Sequence, residues 1–154
     1  MGDALACALV HLRNFKPNDF AKFHPGGSLG KRLLSTVKNF MVTENLPIVS
    51  TSDKISDTIF AISQTKQGIA VAITDDKISG VVTDGDIRRA MRNHQDGFFG
   101  LKVMDIMSTS PKTINENSKL TTAGDLMRKH NIHSLVVVND DNKFVGIIDS
   151  FSCL

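Results

Sequence analysis

The sequence predicts an α/β (α+β) fold: two copies of one strand–helix–strand–strand–helix unit packed about a pseudo-twofold axis, behind a helical leading segment. Three observations predict it. The chain repeats itself, with Met41 recurring as Met107, Lys54 as Lys119, Asp75 as Asp140 and Gly80 as Gly146, at a spacing of 65 or 66 residues. A register held over four landmarks marks a duplicated unit. Within each copy, apolar residues fall on one helical stripe and are followed by two short β-branched runs. Half of a 154-residue chain is too small to hold a core alone, whereas a chain of this length buries about 70% of its unfolded surface and needs no disulfide or metal.

Residues 1–36 lie outside the repeat. "GDALACALVHL" puts Ala4, Leu5, Ala8, Leu9 and Leu12 on one helical face. In "FHPGGSLG", Pro25-Gly26-Gly27 forces a turn and Gly30 permits a close backbone approach. A histidine just before such a turn, His24, reads as a surface turn residue or as a group held for proton transfer near neutral pH. The first copy is expected over 37–95. Asp53 is its N-cap candidate, Ile55, Ile59 and Ile62 its helix stripe, and "IAVAIT" and "ISGVVT" its paired strands around a "DDK" turn. Ile87, Ala90 and Met91 mark a second short helix. The second copy is expected over 96–154. "DGFFG" serves as a connector with anchoring phenylalanines, Ser118 as N-cap candidate and Leu120, Ala123 and Met127 as helix stripe. "SLVVV" and "FVGIID" flank the "NDDNK" turn.

Composition removes several classes of function. Hydrophobic content of 41% and charged content of 22% are those of a globular protein. A net charge of +2 is too small a field for nucleic acid or an anionic membrane, so neither is expected as a partner. The longest early apolar run, "ALACALV", follows Asp3 and is too short for a signal or a span. Cys7 and Cys153 sit at opposite ends with no C-x-x-C pattern, which suits free thiols in a reducing cytosol, so the chain is expected to be cytoplasmic. His130 and His133 are three apart, but no third ligand has clear spacing. No metal and no cofactor is expected.

"GVVTDGDIRRAM" concentrates the chemistry. T-x-x-D is the spacing of a capping box, in which Thr83 caps the Asp86 amide and Asp86 reaches back. Two arginines, Arg88 and Arg89, follow on the same helix, and Arg92 one turn on; they form a solvated face or supply a guanidinium fork to a phosphate. The second copy places Asp149 where Thr83 falls and Ser152 where Asp86 falls. The cap survives that change, whereas a carboxylate grip does not.

On the methionine landmarks, the paired strands and "GVVTDGD", the repeat resembles a tandem pair of cystathionine-β-synthase (CBS) domains, or Bateman module. In that family the Thr and Asp of the G-h-h-[ST]-x-x-D motif, matched here by Thr83 and Asp86, commonly bind ribose hydroxyls of a nucleotide. The resemblance thus implies a ligand-binding role for Thr83, Asp86, Arg88 and Arg89. It implies two clefts of unequal competence, the first being the better, and puts His133 in the second. "GDALACAL" followed by "FAKFHPGGSLGKRLL" is similar to the end of a sugar-isomerase (SIS) domain leading into a CBS pair, as in the D-arabinose-5-phosphate isomerases of the 3-deoxy-D-manno-octulosonate (Kdo) pathway, which serve lipopolysaccharide or capsule. That family's catalytic histidine maps to His24, while its lysine, two glutamates and phosphate loops belong to an earlier domain. The chain is therefore expected to be the regulatory half of such an enzyme, with Met1 an internal or introduced start, inactive alone. Its expected partners are a nucleotide or nucleotide-sugar effector, with CMP-Kdo and adenine nucleotides as candidates, and further copies of itself; a purely structural dimerisation module is the alternative.

Overall fold

A computed structural model describes residues 2–15, 19 and 34–153. The leading helix α1 spans Gly2–Leu12. The first lobe contains β1 (Ile48–Val49), α2 (Ile55–Thr65), β2 (Ile69–Thr74), β3 (Lys77–Thr83) and α3 (Asp84–His94). A 3-10 turn over Gln95–Gly100 and the single-turn helix α4 (Val103–Ile106) lead to the second lobe of β4 (Thr113–Asn115), α5 (Leu120–His130), β5 (Ser134–Val138) and β6 (Phe144–Asp149). The predicted unit is thus present twice, less the closing helix of the second copy, where residues 150–153 form turns.

Each lobe carries a three-stranded sheet, ordered β1-β2-β3 and β4-β5-β6. The first pair in each is parallel and the second is an antiparallel hairpin. β2 and β3 are joined by Asp75 and Asp76, both at positive φ (50° and 60°), as a tight two-residue hairpin demands. The longer second turn is fastened by Asn139, whose Oδ1 accepts from the amides of Asp141 at 3.0 Å and Lys143 at 2.9 Å. Strand periodicity of two explains the layering. Ala70, Ala72 and Val82 face the helices of the first lobe, and Leu135, Val137 and Ile148 those of the second. The alternate residues Ile69, Val71 and Val81 meet Val136 and Ile147 in a seam between the two sheets. Both faces of both hairpins are buried, which accounts for the unbroken apolar runs in the sequence.

The two cores do not follow the repeat. The arm leading into the second copy packs into the first lobe: Phe98, Val103, Ile106 and Met107 join Val49, Ile55 and Ile87. The arm leading into the first copy packs into the second lobe, where Val37 and Met41 join Leu120, Leu135 and Ile148. Backbone pairing fixes the exchange through isolated antiparallel bridges Val42–Ile147 and Val81–Ser108. Two glycines make room for it. A Cβ on Gly80 would lie 2.7 Å from the Ser108 carbonyl oxygen and 3.0 Å from Met107 Sδ; on Gly146 it would lie 2.7 Å from the Val42 carbonyl oxygen and 3.2 Å from Met41 Sδ. The repeated methionines and glycines are therefore one contact, made twice across the lobes. A bulge beside each glycine, with Ser79 and Val145 as the extra residues, bends the strand there.

The same exchange corrects the expected helix caps. The N-cap residues are Lys54 and Lys119, with no side-chain cap. The first helical amides find arm carbonyls instead: Ile55 donates to Leu101 at 3.2 Å and Leu120 to Ser35 at 2.9 Å. Asp53 is used one turn earlier, accepting from the Ser50 amide at 2.7 Å. Of the apolar positions expected on α3, Ile87 and Ala90 are buried, but Met91 is exposed, because Phe98 fills the core from the connector. Only one of the two connector phenylalanines anchors; Phe99 lies edge-on against Phe98 and faces outward.

Overpacking a rigid backbone contact costs about 1–3 kcal/mol. Gly80→Ala and Gly146→Ala are each expected to lower the unfolding free energy by that amount in urea titrations. Gly97→Ala, where an added Cβ meets nothing within 4 Å, is expected to stay within about 0.5 kcal/mol of the parent.

Candidate functional site

The seam between the sheets opens at one end into a cavity of about 590 Å³. One wall is the β3–α3 junction, with Thr83, Asp84, Asp86, Arg88 and Arg89; the facing wall comes from the second lobe, with Ser110, Lys112 and His133; Ile69, Val81 and Val136 line the cavity as well. All five residues singled out in the sequence, Thr83, Asp86, Arg88, Arg89 and His133, thus line one cavity. Arg92, one turn further along α3, does not.

His133 does not line a separate second cleft, as the resemblance implied. The segments ahead of β2 and β5 are pseudo-twofold counterparts and come together at the seam, where the Ser134 hydroxyl lies 3.4 Å from the Gln67 carbonyl oxygen. Both segments therefore face the same opening. The counterparts of the Thr83–Asp86 pair, Asp149 and Ser152, are not among its lining residues. There the cap persists as expected, with Asp149 Oδ1 accepting from the Ser152 amide at 2.8 Å. His24 lies outside the described residues. Among the described residues no group of three His, Cys, Asp or Glu side chains is placed to hold a metal ion.

The capping box at α3 is complete. Asp86 Oδ2 accepts from the Thr83 amide at 2.9 Å and from the Thr83 hydroxyl at 2.7 Å, while the Asp86 amide returns to Thr83 Oγ1 at 3.3 Å. Asp86 Oδ1 accepts from the Arg89 guanidinium. Asp86 is only 9% exposed, whereas the Arg89 side chain is 63% exposed. A carboxylate oxygen offers about two acceptor sites, so Oδ2 is filled and Oδ1 keeps one. An exposed ion pair contributes only about 0–1 kcal/mol, so Arg89 leaves Oδ1 at little cost when a better donor arrives. The box and a sugar grip are compatible because they use different oxygens.

Gln67, Ser110 and Lys112 are among the polar lining residues that the sequence did not single out. The repeat register held the signal for the first, since Gln67-Gly68 falls where Ile132-His133 falls. Gly68 takes φ 66°, and its carbonyl accepts from the Asp84 amide at 3.2 Å, which ties the segment to the start of α3. Ser110 and Lys112 are brought in by the exchanged arm, which no local pattern reveals.

The exchanged arms, the two hairpins and the cleft at their seam define a tandem CBS pair, and the CBS-domain family model matches residues 37–93 and 103–153, so the chain belongs to that family. Its similarity to one group of larger proteins extends beyond the pair. It is 45% identical over 149 residues to a probable arabinose 5-phosphate isomerase of Haemophilus influenzae, covering 97% of this chain and 44% of that protein. It is 38% identical to the arabinose 5-phosphate isomerase KpsF of Escherichia coli, covering 98% of this chain and 46% of that one. The chain thus spans about half the length of the curated relatives it matches. Among solved structures, that of CBSX2 in complex with AMP is 27% identical with a TM-score of 0.64, covering 77% of this chain and 92% of the other; CBSX2 is a CBS-pair protein of Arabidopsis thaliana.

Removing the Asp86 carboxylate deletes the half of the capping box that receives the Thr83 amide and hydroxyl, while the Asp86 amide keeps Thr83 Oγ1. Asp86→Ala is expected to cost about 1–2 kcal/mol of stability and Asp149→Ala about 1 kcal/mol in urea titrations, against at most about 0.5 kcal/mol for Arg89→Ala.

Proposed function

We propose that this chain is a regulatory module of an arabinose-5-phosphate isomerase, sensing a nucleotide or nucleotide-sugar in the cleft between its lobes. The observation that carries the reading is the convergence of Thr83, Asp86, Arg88 and Arg89 from one lobe with Lys112 and His133 from the other around one cavity. A ribose diol suits Asp86 Oδ1 and the Thr83 hydroxyl. A phosphate suits Arg88, Lys112 and the guanidinium that Asp86 releases. The AMP bound by CBSX2 supports a nucleotide as the class. CMP-Kdo remains a candidate because it carries a ribose, a phosphate and the logic of end-product feedback. On this reading the first site is the competent one, since Ser152 offers no carboxylate. The chain works in the cytoplasm beside its enzyme. None of its described helices is long and apolar enough to cross a membrane.

Catalysis belongs to the whole enzyme. His24 is the group this chain would contribute, and a positioned acid–base residue contributes about 10²–10⁴-fold only when substrate is held against it. The isolated chain is inactive on this reading.

A second reading, a dimerisation block without ligand, has its own observation. Phe60 (65% exposed), Phe99 (69%), Met91 and Met104 are large apolar side chains left on elements that pack together around the first core. The two readings are compatible: one module can both pair and sense.

Calorimetric titration of the purified chain with AMP, ATP and CMP-Kdo is expected to show binding by at least one. Asp86→Ala is expected to weaken it about tenfold or more, as is the 2′,3′-dideoxy analogue with the unaltered chain. Equal affinity for the dideoxy analogue would remove the diol contact. Concentration-dependent sedimentation without a thermal shift from any of the three would select the dimerisation block instead. Ribulose 5-phosphate is expected to turn over at the buffer rate in the presence of the chain; a higher rate would locate catalysis here.

A further inference from the structure

Arg89 covers the acceptors on which the nucleotide reading depends. Its guanidinium, on a side chain 63% exposed, donates to Asp86 Oδ1, the carboxylate oxygen that the capping box leaves unused. It also lies across the start of α3. A Cβ built on Gly85 would stand 3.4 Å from Arg89 Nη1, 3.9 Å from Nη2 and 3.5 Å from Thr83 Oγ1. Gly85 has no side chain to hold the guanidinium off. The two acceptors proposed for a ribose diol, Asp86 Oδ1 and Thr83 Oγ1, therefore share this one neighbour. Thr83, Gly85, Asp86 and Arg89 all line the cavity.

The pair can be broken from one side only. Asp86 and Arg89 stand three apart on one helix, a spacing at which opposite charges meet. Asp86 is held independently of the arginine, because its Oδ2 accepts from the Thr83 amide at 2.9 Å and from the Thr83 hydroxyl at 2.7 Å. The carboxylate thus stays in place when the guanidinium leaves. A pair this exposed contributes little to the fold, so its free energy is of the size that one ligand group can offset.

We infer that Arg89 is a specificity-determining residue that makes the site require a ribose and a phosphate in one molecule. In the empty cleft it shields Asp86 Oδ1, and a ribose must displace it to reach that oxygen. A phosphate on the same ligand gives the displaced guanidinium a new anionic partner in the bidentate geometry that suits both. A bare nucleoside leaves the guanidinium without one. Inorganic phosphate draws it away and leaves Oδ1 with nothing in its place. The inference rests on the nucleotide reading above and narrows it to phosphorylated ribonucleosides, against nucleosides and other unphosphorylated diols.

The test is titration of the parent chain and of Arg89→Ala with AMP, ATP and CMP-Kdo and with adenosine and cytidine, weak ligands being measured by competition. Arg89→Ala removes an exposed side chain and is expected to melt as the parent does. For each nucleotide that binds the parent, its own nucleoside is expected to bind about tenfold weaker or more. In Arg89→Ala that nucleotide is expected to bind about fivefold weaker or more, and the nucleoside about two- to fivefold tighter, because Asp86 Oδ1 is uncovered. The opposite signs separate this role from others. A residue that only touches phosphate would leave the nucleoside unchanged, and one that only supports the fold would weaken both. A nucleoside that binds Arg89→Ala no tighter than the parent, or a nucleotide that binds both equally, would overturn this inference and leave the sensor reading standing. Failure of AMP, ATP and CMP-Kdo all to bind the parent would overturn both.

Discussion

The contact on which the rest of the structure depends is the close approach of each arm to the other lobe's glycine. Met107 and the Ser108 carbonyl rest on Gly80, and Met41 and the Val42 carbonyl rest on Gly146. From that pair of contacts follow the bridges that register the arms, the carbonyls that meet the first amides of α2 and α5, and the placement of Val37 and Val103 in the opposite cores. Neither lobe could close its core with its own sequence copy alone, because the residues that finish it are supplied from outside.

The cleft is a by-product of the same arrangement. Two hairpins that bury both faces must stop burying them where the strands end, and the pseudo-twofold seam brings two such ends together. The stretch from the exchanged arm into β4 then brings Ser110 and Lys112 to the same opening as the start of α3, so that opening collects charge from segments far apart in sequence. Duplication supplied two equivalent positions for each wall, and divergence made them unequal. Asp86 stands against Ser152, Thr83 against Asp149, and Gln67 against Ile132. The scaffold kept what packing needs in both copies and the Thr83–Asp86 pair in one.

Much of this was legible in the sequence. The period of two in "IAVAIT" and "SLVVV", the stripes of α2 and α5 and the T-x-x-D box are local patterns, and local hydrogen bonding realises them as β2, β5, the two helices and the α3 cap. What was misjudged depends on distant chain. Asp53 and Ser118 look like caps until an arm from the other lobe offers its carbonyl first. Met91 continues an apolar stripe, but the volume it would fill is occupied by Phe98. The family resemblance puts His133 in a second cleft, whereas the seam merges the segments ahead of β2 and β5.

The bridge between Val42 and Ile147 also sets the order in which the molecule can be made. A ribosome releases the first arm well before β6, which carries its docking surface. The arm must wait through the synthesis of about a hundred residues. Until β6 emerges, the second lobe lacks an edge and Val37 has no pocket. The nascent protein therefore passes through a long stage in which the apolar residues of the first arm are uncovered. The second core closes only once β6 has been made.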